Sequence, residues 1–184
     1  GATRRFDLSP ETVAALQEFC RREAVTPFMT LLGAFEVLLA RYSGQDDIAI
    51  GSPVAKRARP ETEALIGYFV NVVVLRNDLS GEPSFREVLR RVRQVTLDAY
   101  EHQEMTLDQV VAAVNPPRDM SRHPLFQAMF ALQNIDLPQV DTLGLSMAPL
   151  EDGPSARASY FDLTLAFWQS ARAFQGELNF STEL

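Results

Sequence analysis

Apolar residues recur at helical spacing over the N-terminal part of this chain and at every second position towards its C-terminus. Ser9-Pro10-Glu11 supplies an N-cap, a proline at the first helical position and an acid in the first turn, and Val13, Leu16 and Phe19/Cys20 follow as one face of a first helix. Thr26-Pro27 opens a second helix whose stripe, Phe28, Leu31, Leu32, Phe35, Leu38, Leu39 and Tyr42, is expected in the core and stops at Ser43-Gly44. Ser84 with Glu87 has the spacing of a capping box, and Phe85, Val88, Leu89, Val92, Val95 and Ala99 form the apolar face of a long helix behind it. Thr106 with Gln109 repeats the device for a short helix bearing Val110, Val111 and Val114, which Pro116-Pro117 terminates.

Between these helices, Ile48-Ala49-Ile50 predicts a strand that runs into a long loop at Gly51-Ser52-Pro53, a loop that carries Lys56, Arg57, Arg59 and Pro60. The β-branched run from Phe69 to Leu75 predicts a strand buried on both faces, interrupted only by Asn71. Beyond the double proline the period becomes two. Phe126, Ala128, Phe130 and Leu132 recur at every second position, as do Leu143, Leu145 and Met147, then Phe161, Leu163, Leu165 and Phe167, then Phe174, Gly176, Leu178 and Phe180. Four strands are expected there, the last two joined as a hairpin around residues 170–173, with a mobile loop over residues 151–159. Helices early and antiparallel strands late predict an α/β fold, a two-layer sandwich with the helices on one face of a mixed or antiparallel sheet, forming one domain or one lobe of a larger one.

Composition narrows the functional classes. With 46% apolar and 22% charged residues the chain is ordinary globular material, neither disordered nor of low complexity. Its net charge of −7 argues against a nucleic-acid footprint spread over the molecule. No apolar run approaches the ~18 residues of a membrane span. The single cysteine, Cys20, has no internal disulfide partner and fits a reducing, cytoplasmic compartment. Lys56 is the only lysine among 17 basic residues, a bias that fits GC-rich bacterial codon usage.

Catalytic signatures are missing from the pattern. The two histidines, His102 and His123, stand without a Cys/His cluster, an H-x-x-x-H pair or a phosphate-binding glycine loop, so no metal site is expected. His102 falls just past a helix end, where a cation suits the helix dipole. No serine lies in a G-x-S-x-G elbow. The adjacent acids Asp46-Asp47 and Glu151-Asp152 are the composition of solvated turns. Arg118, Asp119, Ser121 and Arg122, crowded between the double proline and a strand, predict a local ion-pair clasp.

Four segments in order nevertheless carry a specific resemblance: Gly51-Ser52-Pro53-Val54-Ala55, Ile66-Gly67-Tyr68-Phe69-Val70-Asn71, His102-Gln103-Glu104, and Arg118-Asp119-Met120-Ser121-Arg122-His123-Pro124-Leu125. They resemble the C-terminal motifs of nonribosomal peptide synthetase condensation domains, written G-x-P-V, I-G-x-F-V-N, H-Q-D and R-D-x-S-R-x-P-L. Tyr160-Phe161-Asp162-Leu163-Thr164-Leu165 is similar to the family's late F-D-L-T-L strand, so the resemblance covers nearly the whole chain. Glu104 stands where the family has Asp, and Met105-Thr106-Leu107 replace its aromatic-proline-Phe stretch. The family's catalytic H-H-x-x-x-D-G motif belongs to its N-terminal half, and no segment of this sequence corresponds to it.

The resemblance implies a chloramphenicol-acetyltransferase-like fold of two lobes meeting at a tunnel, with residues 1–184 as the C-terminal lobe. An acceptor amine attacks a donor thioester, both delivered on the phosphopantetheine arms of carrier proteins. The lobe itself then binds no cofactor, holds no catalytic residue and is inactive alone. Implied partners are the N-terminal lobe, donor and acceptor carrier proteins, and an adenylation domain as neighbour. Gly51, Ser52, Gly67 and Asn71 become candidates for the tunnel and its floor loop, Asn71 foremost, and the stretch near Glu151 to Ser159 for a latch onto the other lobe. Arg118, Asp119, Ser121 and Arg122 are assigned to lobe architecture. Arg86, Arg90 and Arg93 share one face of the long helix at i, i+4 and i+7, with Arg91 offset, and are candidates for docking an acidic carrier protein. The alternatives are a lobe of an epimerization or other noncondensing relative, or a noncatalytic carrier-docking module.

Overall fold

The computed structural model describes residues 1–55, 65–67, 69–117, 119, 121–133, 159–169 and 173–184. Within them the order is β1 (Ala2–Asp7), α1 (Pro10–Glu23), α2 (Pro27–Ser43), β2 (Asp47–Ala55), β3 (Val70–Asp78), α3 (Phe85–Glu101), α4 (Leu107–Val114), β4 (Ala128–Gln133), β5 (Leu163–Gln169) and β6 (Phe174–Phe180). The strands form one mixed sheet in the order β1-β6-β5-β4-β2-β3. β2 with β3, β5 with β6 and β1 with β6 are antiparallel, whereas β4 runs parallel to both β2 and β5. The expected antiparallel run is therefore corrected at β4 and β5, which are separated by a connection long enough for the crossover that a parallel pair requires. The expected strand at Leu143 to Met147, the loop at 151–158 and the basic stretch at 56–64 lie outside the described residues.

Helix starts follow the sequence. The Ser9 and Thr26 hydroxyls accept from the backbone N–H of Thr12 and Met29, each at 3.2 Å, and α2 ends on Gly44 at φ 69°. Thr106 and Gln109 complete their capping box, with Thr106 N donating to Gln109 Oε1 at 2.9 Å. At α3 only half of the expected box forms. Ser84 Oγ accepts from Glu87 N at 3.3 Å, but the Glu87 carboxylate turns to Arg90 and Arg91, two guanidiniums that bind it more strongly than a single backbone N–H.

Side chains from α1, α2 and α3 meet alternate residues of the sheet in one core: Val13, Leu32, Phe35, Val88 and Val92 against Ile48, Ile50, Leu75, Phe130, Phe167 and Phe174. The α2 stripe holds at Leu32 and Phe35, with Phe28, Leu31 and Leu39 packed against the core, but not along its whole expected line. Leu38 and Tyr42 are exposed, and the helix also buries Met29, Thr30, Gly33 and Glu36, which the stripe did not include. β3 is an edge strand rather than one buried on both faces, with Asn71, Val73, Leu75 and Asn77 buried while Val72 and Val74 are only partly covered. β2 continues through Gly51-Ser52-Pro53, where a loop was expected, because it stays paired with β3 as far as Ala55 opposite Val70. Its pairing with β4 covers only Ile50 and Gly51, so the stretch carrying Pro53 borders one strand alone, a setting that tolerates proline. β1, paired along its length with β6, has no counterpart among the elements expected from the sequence pattern.

Candidate functional site

The G-x-P-V and R-D-x-S-R-x-P-L segments meet through one aromatic ring. Gly51 points away from the helices, and Phe126 lies so close that a Cβ built on Gly51 would stand 2.4 Å from a ring carbon. Glycine is required there for that close approach. Phe126 was expected within a strand, but β4 begins at Ala128, and the ring packs outside the main core. It is 1% exposed and forms a three-ring cluster with His123 at 3.9 Å and Phe161 at 5.4 Å between ring centroids, the outer two being 5.9 Å from each other. His123 Nδ1 accepts from the backbone N–H of Leu125 at 3.3 Å and of Phe126 at 3.4 Å. That places any ring proton on Nε2, and burial holds the imidazole below the usual histidine pKa. His123 is thus a neutral prop for the turn into β4.

Of the clasp expected in the preceding segment, the described residues include Asp119, Ser121 and Arg122. Asp119 Oδ1 accepts from Ser121 N at 2.8 Å and from Ser121 Oγ at 2.7 Å, an Asx turn. These bonds, with Arg122 nearby, lower the exposed Asp119 carboxyl from its ordinary value. Arg118 lies outside the described residues.

Asn71 sits on the opposite side of the sheet from Gly51, facing the turn between α3 and α4. Its amide Nδ2 donates to Gln103 O at 2.9 Å and Met105 O at 2.8 Å, bracketing Glu104. The I-G-x-F-V-N and H-Q-D elements are thereby bonded to each other. Asn71 is 8% exposed, its donor groups committed within the lobe, so its geometry is that of a clamp rather than of an open wall. His102 closes α3, with Nδ1 at 2.8 Å from Asp98 O. Ser52 Oγ is buried without a hydrogen-bond partner among the described residues. Gly67 is exposed beside the Phe69 ring. The four floor candidates therefore lie on adjacent strands and their approach but do not share one face.

Outside the clamp an apolar surface gathers. Ile66 is fully exposed, and Leu65, Val70 and Met105 are each about half exposed, around the start of β3 and the turn pinned to it. Sequence reasoning missed this patch because exposed apolar residues resemble core positions in a one-dimensional pattern. The arginine face of α3 is partly neutralised. Arg86 pairs with Glu23 at 3.0 Å and Arg90 with Glu87 at 2.7 Å, while Arg93 is exposed and makes no ion pair among the described residues. Arg91, at 3.1 Å from Glu87, also bonds Asp78 O. Two guanidiniums on one carboxylate pull the Glu87 pKa down to about 2. Among the described residues no group of His, Cys, Asp and Glu could hold a metal ion, and no single helix is long and apolar enough to cross a membrane.

Comparison with known proteins agrees with the motif order. Residues 1–184 match the condensation-domain family. One of the linear gramicidin synthase proteins of Brevibacillus parabrevis is 49% identical over 175 residues, which is 95% of this chain and 3% of that protein. A holo four-domain nonribosomal peptide synthetase bound to AMP and glycine has the same fold with a TM-score of 0.88 at 24% identity, over 100% of this chain and 15% of that one. The first condensation domain of the calcium-dependent antibiotic synthetase gives 0.79 at 14% identity, with this chain covering 40% of it.

Proposed function

Because the chain belongs to the condensation-domain family, we propose that it is the C-terminal lobe of a domain that joins carrier-bound aminoacyl or peptidyl thioesters through an amide bond, and that it acts only together with an N-terminal lobe. The observation that carries this reading is the exposed apolar patch of Leu65, Ile66, Val70 and Met105, in and beside the two family motifs that Asn71 ties together. A surface of this kind, built beside a lobe whose sequence lacks the catalytic histidine motif, fits a complementary lobe rather than water. On this reading the phosphopantetheine arms of donor and acceptor carrier proteins enter between the lobes, and an adenylation domain is the neighbour in a cytoplasmic synthetase. Leu65→Asp combined with Ile66→Asp introduces two carboxylates that the interface would have to desolvate. Association with the N-terminal lobe is expected to weaken at least tenfold by titration calorimetry, and unchanged affinity would remove the patch from the interface.

The arginine face of α3 is our proposed contact for an acidic carrier protein, with Arg93 its most available charge. Arg90→Glu with Arg93→Glu is expected to slow carrier association with the two-lobe domain at low salt while the melting temperature stays nearly constant, since exposed charges steer encounter more than they stabilise folds. Stopped-flow rates equal to wild type at low salt would place docking elsewhere.

A further inference from the structure

Among the described residues Glu36 is the only buried acid: it is 0% exposed on α2, and its one hydrogen-bond partner is Asn77 on β3, itself 1% exposed. Asn77 Nδ2 donates to Glu36 Oε1 at 2.8 Å. The remaining oxygens of the same two side chains, Glu36 Oε2 and Asn77 Oδ1, are both buried and both lack a partner among the described residues. With Glu36 ionised, both atoms are acceptors, and a bonded pair would leave two acceptors stranded in the core. Among the described residues no cation acts on the pair. One turn earlier on α2, Gly33 packs on Val88, Leu89 and Val92 of α3, and Asn77 stands opposite Ile48 of β2. The ionised groups described on the flanking elements lie at the surface, most of them engaged there and Arg93 of α3 exposed. Asp47 of β2 holds Arg76 of β3, Glu87 of α3 holds Arg90 and Arg91, and Asp78 accepts from Ser80 N. Arg41, Asp46 and Glu82 line an open groove.

We propose that the folded chain carries Glu36 as the neutral acid, with the proton on Oε2 donated to Asn77 Oδ1, so that the two side chains form a cyclic acid–amide pair fastening α2 to the edge strand β3. One added proton converts one stranded acceptor into a donor and satisfies the other, and Asn77 Nδ2 keeps its existing bond. Burial, opposed only by that bond, pushes the Glu36 carboxyl from 4.5 up to about 8, in keeping with the geometry. Folding then takes one proton from water at neutral pH. The folded state binds more protons than the unfolded state between those two values, so the stabilisation is complete below about 4.5 and is lost as the pH rises through about 8. Because β3 also carries Asn71, alkaline opening of the pair loosens the strand to which the α3–α4 turn is clamped. The inference concerns folding and does not rest on the proposed function.

The test compares urea unfolding of the full chain with that of E36Q from pH 5 to pH 8.5. The substituted amide presents an N–H to Asn77 Oδ1 and an oxygen to Asn77 Nδ2, keeping both bonds without a titrating proton. The ratio of the wild-type to the E36Q unfolding constant is expected to rise about tenfold per pH unit up to about pH 8 and then to level. A ratio that is constant across the range would overturn the proposal. If E36Q does not fold, the ¹³Cδ resonance of Glu36 in the wild-type chain decides. A neutral-acid shift at pH 7 that titrates at alkaline pH supports the pair, and a carboxylate shift at pH 7 overturns it.

Discussion

Phe126→Ala is expected to destabilise the chain by about 3–5 kcal/mol, the range for emptying the site of a fully buried ring. Phe126 is 1% exposed and lies between Gly51, His123 and Phe161, so its loss removes the contact that joins β2 to the turn before β4. Gly51→Ala attacks the same contact from the other side. The new methyl would stand 2.4 and 2.5 Å from two carbons of the ring, so ring or strand must shift, at a cost of about 1–3 kcal/mol for overpacking. The two changes are expected to be strongly coupled, because the three atoms nearest the new methyl all belong to the Phe126 ring. Urea unfolding of the two single variants and the double variant measures this. Additive losses would show that the close approach at Gly51 does not set the position of Phe126.

Asn71→Ala is expected to cost about 1–3 kcal/mol by releasing the carbonyls of Gln103 and Met105 together, and the α3–α4 turn should fray first. Asn71→Asp should be worse than alanine at neutral pH. Its carboxylate would face two carbonyl oxygens where the amide offered donors, and acidification would restore one donor by protonating it. Amide hydrogen exchange in residues 102–109 provides the readout. A clamp predicts faster exchange there in both variants. Unchanged exchange and stability, with impaired transfer in the two-lobe domain, would return Asn71 to the tunnel wall.

The parts of the fold that were legible in the sequence are those set by local chemistry. Ser9, Thr26 and Thr106 announce their helices because each cap satisfies backbone donors within its own turn. β1 escaped notice because it is a half-exposed edge strand whose Arg4 and Arg5 interrupt any apolar alternation. Gly51-Ser52-Pro53 has the composition of a loop, and only the long-range partners β3 and Phe126 show why glycine and proline are tolerated in a strand. Glu36 was hidden for a related reason. A carboxylate beside an apolar stripe marks the solvent side in a helical pattern, and the amide that allows its burial lies on a different element, at Asn77. The motif segments themselves were legible by their order, but their division between the two sides of the sheet was not, since it depends on the register that sets Gly51 opposite Val74 and Asn71 opposite Val54.

The central claim, that this chain is one lobe of an amide-forming domain and needs its partner, is tested most directly by single-turnover transfer between a donor-loaded and an acceptor-loaded carrier protein. Proton transfer by a positioned side chain typically contributes ~10²–10⁴-fold to such a step, and this chain's sequence has no segment matching the family's catalytic histidine motif. The account predicts no amide product from the chain alone and product when the N-terminal lobe is added. Product formed at comparable rate by the chain alone would contradict it.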